Sequence, residues 1–276
     1  MQTRRFEKLG FDFSVFGMGC MRLPTITGED DKKLINKEEA VKMIRYAIDN
    51  GVNYIDTAYP YHKGESELVV GMALQDGYRE KVKLATKLPV WMCKTYADFN
   101  KFLDEQLIKL KTNYIDFYLL HALDKKRWDT AFELGVLDFL DKAVKDGKVR
   151  YPAFSFHHNI ETFKEIIDAY DWSMCQIQLN IIDDNYQAGV EGMGYAAAKG
   201  IPVVIMEPLK GGRLAANIPD EILNVWRNYQ VQRSPVEWAF RWLYNYPEVM
   251  TILSGVSNME QLKENLRISI QLRVNV

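Results

Sequence analysis

The chain has 276 residues, 47% of them hydrophobic and 26% charged, with a formal net charge of −2. That is ordinary globular composition, long enough to bury a large core, and the near-zero charge excludes a global pull towards nucleic acid or an anionic membrane. Its three cysteines, Cys20, Cys93 and Cys175, are too scattered for a disulfide framework or a metal knuckle.

The opening MQTRRFEKLGFDF is positively charged but has no apolar run of signal-peptide length. No stretch reaches the roughly 18 apolar residues of a membrane span, so a cytoplasmic protein without a membrane partner is expected. In RRFEKLGFDFSVF, Gly10 separates two short alternating runs, which predicts a β-hairpin. Short apolar runs then alternate with amphipathic ones. VFGMG (15–19) precedes KEEAVKMIRYAIDN, where Ala40, Met43, Ile44, Ala47 and Ile48 recur at helical spacing. NYIDTA (53–58) precedes ESELVVGMAL, VKLATK (82–87) precedes YADFNKFLDEQLIKL, and IDFYLLH (115–121) precedes VLDFLDKAVKDG, which ends on Gly147. The short basic cluster Lys125-Lys126-Arg127 between them reads as solvated loop charge. VRYPAFSF (149–156) precedes IETFKEIIDAY, and CQIQLNI (175–181) precedes EGMGYAAAKG. PVVIMEP (202–208) precedes a glycine turn and SPVEWAFRWLYN, with Ser234 as N-cap and Pro235 at the first helical position. TILSGV (251–256) precedes MEQLKENLRI.

Strand–helix alternation implies parallel strands with crossover helices, and apolar strands imply a sheet covered on both faces. Eight such units close into a (β/α)8 TIM barrel, here a single α/β domain over residues 1–276 with the hairpin capping the barrel floor.

Chemistry in such barrels sits at the C-terminal strand ends. The second strand ends in Asp56, with Tyr61 in its loop; the third ends in Lys87 and the fourth in His121. The fifth ends in Ser155, the sixth carries Gln176 and Asn180, and the seventh ends in Met206-Glu207. Taken singly, Asp56 reads as a loop-amide acceptor, Tyr61 as packing and His121 as a satisfied core histidine. Lys87 resists such a reading, because burying an unpaired ammonium is costly. Together they suit one reaction. A phenol is a weak acid with an ordinary pKa near 10, and a neighbouring ammonium lowers it. A carboxylate holds the ammonium charged, and a histidine hydrogen-bonds a substrate oxygen. The set holds no nucleophile–base pair and no metal triad; it suits protonating an alkoxide as hydride adds to a carbonyl.

NYIDTAYPYHKGESELVVGMAL resembles the signature of the aldo-keto reductase family, with LATKL resembling its lysine strand and DFYLLH its histidine strand. The resemblance runs from GMGCMRLP to SNMEQLKENL. It implies that Tyr61 is the general acid in reduction, tuned by Lys87 and Asp56, and that His121 orients the carbonyl. It puts Ser155 and Gln176 on the nicotinamide carboxamide, with Phe156 where the family usually has asparagine, and Met206 where it usually stacks an aromatic ring. It further implies cofactor contacts from Gly19, Cys20, Met21 and Asp56 and from Pro208, Leu209, Lys210, Gly211, Gly212 and Arg213. In the eighth loop the implied contacts are Ser257, Asn258, Gln261, Glu264 and Asn265. Ser257 or Asn258 also serves as a helix N-cap. Many relatives carry arginine where Gln261 stands; NADP(H) is still the favoured cofactor, with NAD(H) the alternative. Tyr61, Trp91 and His121 are expected to face the substrate, a small carbonyl or alcohol, with packing an equal reading of Trp91.

The wording YIDTAYPYH, FSFHH and MEPLKGGRL is similar to a bacterial branch whose members often carry a C-terminal iron–sulfur tail. The sequence stops at IQLRVNV without a cysteine cluster, so either this member lacks the tail or the sequence is shortened. No iron–sulfur cluster is expected in this chain, and with the family's C-terminal loop nearly missing an open pocket is expected. A metal centre on His157, His158, His121 and Cys20 is disfavoured, because adjacent strand residues point to opposite sides. The other reading is a nicotinamide-binding redox sensor with little turnover, prompted by the likeness of the eighth loop to potassium-channel β subunits.

Overall fold

The computed structural model describes residues 1–28, 32–216 and 218–271. Strands β1 (Thr3–Phe6) and β2 (Phe11–Ser14) form the expected antiparallel hairpin, turning through Gly10 at φ +71°. The short strands β4 (Thr25–Thr27) and β5 (Lys33–Ile35) pair as a second hairpin after the first barrel strand, which the sequence reading lacks. All of its β4 residues are exposed, so it carries no hydrophobic alternation to find.

The remaining strands are β3 (Phe16–Gly19), β6 (Tyr54–Asp56), β7 (Lys83–Leu88), β8 (Ile115–Leu123), β9 (Val149–Phe156), β10 (Met174–Gln178), β11 (Val203–Met206) and β12 (Val249–Gly255). They close in chain order into an eight-stranded parallel barrel, β12 pairing back onto β3. This is the expected (β/α)8 TIM barrel. The helices α1 (Lys37–Asp49), α2 (Ser66–Ala73), α3 (Tyr96–Leu110), α4 (Lys125–Glu133), α5 (Val136–Lys145), α6 (Ile160–Ala169), α7 (Gly189–Ala198), α8 (Asp220–Arg227), α9 (Pro235–Tyr244) and α10 (Met259–Gln271) occupy the crossovers. Side-chain caps start several of them: Asn36 for α1, a Thr95–Asp98 capping box for α3, Asp124 for α4, Asn159 for α6 and Ser234 for α9.

Two helices depart from the sequence reading. Lys125-Lys126-Arg127 is not loop but the first turn of α4, capped by Asp124 accepting from Arg127 N. The cap aspartate is the signal that the charge run hid. Helix α8, absent from the sequence reading, buries no residue fully: Trp226 stacks on Trp238 of α9 with ring centres 6.4 Å apart, while Ile222 and Val225 are exposed. Strand β10 also ends at Gln178, leaving Asn180 in the following loop.

Strand parity decides what faces the barrel axis. Tyr54, Ala85, Phe117, Leu119, Ala153, Met174 and Val204 form one interior cluster with Leu9 and Phe13 of the hairpin. Phe13 packs its ring 5.9 Å from Tyr54 and 5.7 Å from Phe117, so the hairpin plugs the floor. The alternate residues Ile55, Leu84, Tyr118, Leu120, Phe154, Phe156 and Ile205 join the outer layer with the helices. A residue two further along from each interior position therefore points up into the mouth: Asp56 above Tyr54, Lys87 above Ala85, His121 above Leu119, Ser155 above Ala153, Gln176 above Met174 and Met206 above Val204.

Candidate active site

Lys87 is 1% exposed, among the most completely buried side chains of the chain. Its ammonium donates to Asp56 Oδ1 at 2.6 Å, to the Thr57 carbonyl at 2.8 Å and to the Tyr61 hydroxyl at 3.4 Å. Burial alone would strip its proton, but Asp56 and Tyr61 outweigh burial and hold its pKa above the usual lysine value. Burial pushes the Asp56 carboxyl up, against the pull of Lys87 and a hydrogen bond from Gln176 Nε2 at 3.3 Å.

Tyr61 stands on a single 3-10 turn, Tyr61–Gly64, in which His62 and Lys63 take left-handed φ of 50° and 57°. His62 Nε2 accepts from Leu23 N at 3.1 Å, tying this turn to the loop after β3. Burial pushes the Tyr61 phenol above its ordinary pKa, with Lys87 pulling it back and Asp56 adding to the rise. The pull of Lys87 has the expected sign, yet the net direction is the reverse of the expected lowering. Enclosure of the hydroxyl outweighs one ammonium at 3.4 Å.

His121 sits where the β8–β9 register breaks. The next residue, Ala122, has φ +54°, a left-handed conformation unusual for a Cβ-bearing residue, and its N–H donates to Ser155 Oγ at 2.7 Å. The irregularity aims the imidazole at the mouth, with its ring 5.9 Å from that of Tyr61. Burial first, then Lys87, His157 and Arg127, hold His121 well below the ordinary histidine range, so the ring is neutral. Its Nδ1 is buried without a partner among the described residues. Trp91 is 43% exposed and places its ring 5.1 Å from His121, at the outer edge of the mouth.

The residues expected at the cofactor fall into three groups. Ser155, Gln176 and Met206 reach the mouth beside the tetrad. Gln176 Oε1 is buried without a partner and Ser155 Oγ already accepts one N–H, so both have room for an amide ligand. Gln178, one inward position further on, has a buried, unpartnered Nε2. The strand alternation of Met174, Gln176 and Gln178 is the signal that would have found it. Phe156 faces outward onto Phe163 of α6, ring centres 5.1 Å apart, so an asparagine there would not share the direction of Ser155.

The loop after β11 is built of left-handed residues: Glu207 at φ 56°, Lys210 at 46°, Gly211 at 68° and Gly212 at 95°. Pro208 is buried, Leu209 half-buried and Arg213 exposed. Lys210 is held by Asp183 at 2.6 Å, and Asn180 braces the same loop by donating to Asp183 at 3.2 Å. Asn180 thus serves loop structure. Arg22 was not singled out by the sequence; its stem lies against Gly255, 3.3 Å from where a Cβ would stand, and its Nη2 lies the same distance from a Cβ at Gly211. It bridges the loops after β3, β11 and β12. Gly19 and Cys20 are buried, whereas Met21 is 58% exposed.

At the start of α10, Asn258 Oδ1 accepts from Gln261 N at 2.9 Å, while Gln261 Oε1 accepts from Ser257 N and Oγ at 3.0 and 3.2 Å. Asn258 is the N-cap, and Gln261 is spent on its own turn. Asn265 is buried and donates to Ser254 Oγ at 3.1 Å; Glu264 is half-buried. His157 and His158 diverge: His158 Nδ1 meets Asn159 and Thr162, whereas Glu207 and Gln187 act on His157. Among the described residues no three His, Cys, Asp or Glu side chains form a group that could hold a metal, and no helix is long and apolar enough to cross a membrane.

A parallel barrel whose mouth gathers a buried Lys–Asp pair, a phenol and a neutral imidazole belongs among the oxidoreductase barrels. The chain is a member of the Aldo/keto reductase family, whose model matches residues 16–274. It is 26% identical to "Uncharacterized oxidoreductase YqkF" of Bacillus subtilis, covering 97% of this chain and 90% of that one. It is 25% identical to "NADH-specific methylglyoxal reductase" of Escherichia coli over 78% of each chain. The solved aldo/keto reductase from Klebsiella pneumoniae in complex with NADP and acetate has the same fold, with TM-score 0.77, 22% identity, and 97% and 89% of the two chains covered.

Proposed function

We propose that this oxidoreductase reduces a small aldehyde or ketone to its alcohol with a nicotinamide cofactor, and that Tyr61 is the general acid. The observation that carries the reading is the Lys87 ammonium, buried and held between Asp56 and the Tyr61 hydroxyl. A nicotinamide, when bound, supplies the hydride. Gln176 Oε1 and Ser155 would hold its carboxamide, Met206 would lie against its ring, and the loops carrying Arg22, Gly211 and Gly212 would hold its pyrophosphate.

The residues of the chain do the rest. His121, neutral and with no bond at Nδ1, donates to the substrate carbonyl oxygen and orients it. As that oxygen gains negative charge, the phenol of Tyr61 gives up its proton, and Lys87 stabilises the phenolate left behind. A phenol pushed up by burial stays protonated across the neutral range, which suits the acid role. We further propose NADP(H) over NAD(H), with Arg22 and the start of α10 supplying the positive field; Gln261 folds onto Ser257 in place of a charged contact.

The test is cofactor oxidation followed by absorbance with a panel of aldehydes. Tyr61→Phe should lower turnover by about 100- to 10,000-fold while leaving the Kd for NADPH within a few-fold. Turnover that survives the substitution would overturn the role of Tyr61. Tight NADPH binding with no turnover on any aldehyde would favour a redox sensor.

A further inference from the structure

Lys125, Lys126 and Arg127 form the first turn of α4. A helix N-terminus is the positive end of the peptide dipole, so cations there oppose it. The dipole therefore does not account for them, whereas a positive helix start flanked by cations attracts anions. Lys125 is committed outward, to Asp129 at 2.7 Å and Glu165 at 2.9 Å.

Arg127 is directed at the mouth. Its Nη1 donates at 2.7 Å to the carbonyl of Ala122, next to His121. Its guanidinium carbon lies 5.0 Å from the centre of the Trp91 ring, which in turn lies 5.1 Å from the His121 ring. After burial, Arg127 is among the groups that hold both His121 and His157 below the ordinary histidine range, so its charge is felt at the reaction centre. The opposing carboxylates are Asp124 and Glu207. Asp124 spends Oδ1 on capping α4, and its Oδ2 is 3.5 Å from Arg127 Nε, a loose pair. Glu207 acts on His157, opposing the lowering of its pKa by burial. The contacts of the guanidinium among the described residues run through Nη1 and Nε, and the side chain is 37% exposed, which leaves Nη2 available to a ligand.

We propose that Arg127, stacked on Trp91, selects carbonyl substrates that carry a carboxylate several bonds from the reacting carbon. This deepens the carbonyl-reductase reading and rests on it. With the carbonyl oxygen between Tyr61 and His121, an extended substrate leaves the mouth past Trp91. A terminal carboxylate then meets the free edge of the guanidinium, where planar fork geometry suits it.

The test compares 4-carboxybenzaldehyde with methyl 4-formylbenzoate, which differ in that charge, using whichever of NADPH and NADH is oxidised. The wild-type protein should favour the carboxylate in kcat/KM by about tenfold, chiefly through KM, equivalent to about 1.4 kcal/mol. Arg127→Met keeps a stem over Trp91 and removes the charge; it should bring the ratio to about one, while Arg127→Lys retains most of it. Raising salt from about 0.05 to 0.5 M should shrink the wild-type ratio, because the guanidinium is partly exposed. Equal turnover of both aldehydes by the wild type, or an unchanged ratio in Arg127→Met, overturns the proposal. Should Arg127→Met fail to fold, a wild-type ratio that ignores salt, or its loss in Arg127→Lys, does the same. Equal turnover defeats this inference alone; no turnover of either aldehyde defeats the carbonyl-reductase reading and this inference with it.

Discussion

Lys87 and Asp56 are each nearly inaccessible, and each makes the other tolerable. Two separated charges at this depth would each cost several kcal/mol of desolvation, and their contact at 2.6 Å offsets that cost. Replacing the pair by well-packed apolar residues would serve the fold as well, so its presence points to chemistry. Removing only the cation should be severe. Lys87→Met leaves Asp56 buried against Gln176 alone, and we expect a loss of about 3–5 kcal/mol in denaturant unfolding together with loss of turnover. A variant that unfolds at the wild-type midpoint would show that Asp56 is already neutral in the folded protein.

At the scale of elements, the barrel holds the site through strand parity and the hairpin holds the barrel closed from below. Phe13 is fully buried and contacts the rings of Tyr54 and Phe117, the layer directly beneath Asp56 and the rest of the mouth. Phe13→Ala should cost about 3–5 kcal/mol, measured as a lower denaturation midpoint. Because Tyr54 lies two residues before Asp56 on one short strand, the same variant should weaken NADPH binding. A cost below about 1 kcal/mol would mean that the hairpin is an ornament on the floor and bears none of the packing. The loop after β11 shows a different economy. Left-handed backbone at Glu207 and Lys210 is unfavourable for residues with a Cβ, and the Lys210–Asp183 pair with Asn180 restrains it.

For the whole molecule, stability should depend on pH through its buried histidines. Burial holds His121 well below, and His62 below, the ordinary histidine pKa. The unfolded chain takes up protons near pH 6.5 where the folded protein does not. Stability is therefore full above about pH 6.5 and is lost as pH falls below it. Asp56 and Glu67, pushed up by burial, act in the opposite sense at lower pH, so the clean measurement is a difference. Thermal melts between about pH 7.5 and 5.5 should show a steeper fall in Tm for the wild type than for His121→Asn. Parallel curves would show that His121 takes its proton without strain.

The order of apolar and amphipathic runs was enough to read the barrel, because covered parallel strands and crossover helices each leave a periodic pattern. The tetrad was legible too: Asp56, Lys87 and His121 close three successive apolar runs, and a lysine in that setting has no inexpensive structural use. Helix α8 and the second hairpin were not legible in that way: α8 buries no residue fully, and strand β4 is wholly exposed. Strand pairing around the closed barrel decided the rest. It turned Phe156 away from the mouth and Gln178 towards it, and brought Arg22 onto Gly255 and Arg127 onto Trp91. It enclosed Tyr61 so that burial, more than Lys87, sets the pKa of its phenol. Local sequence records which face of a strand is apolar; which groups meet across the mouth, and how much water is left between them, depends on contacts between residues distant in the chain.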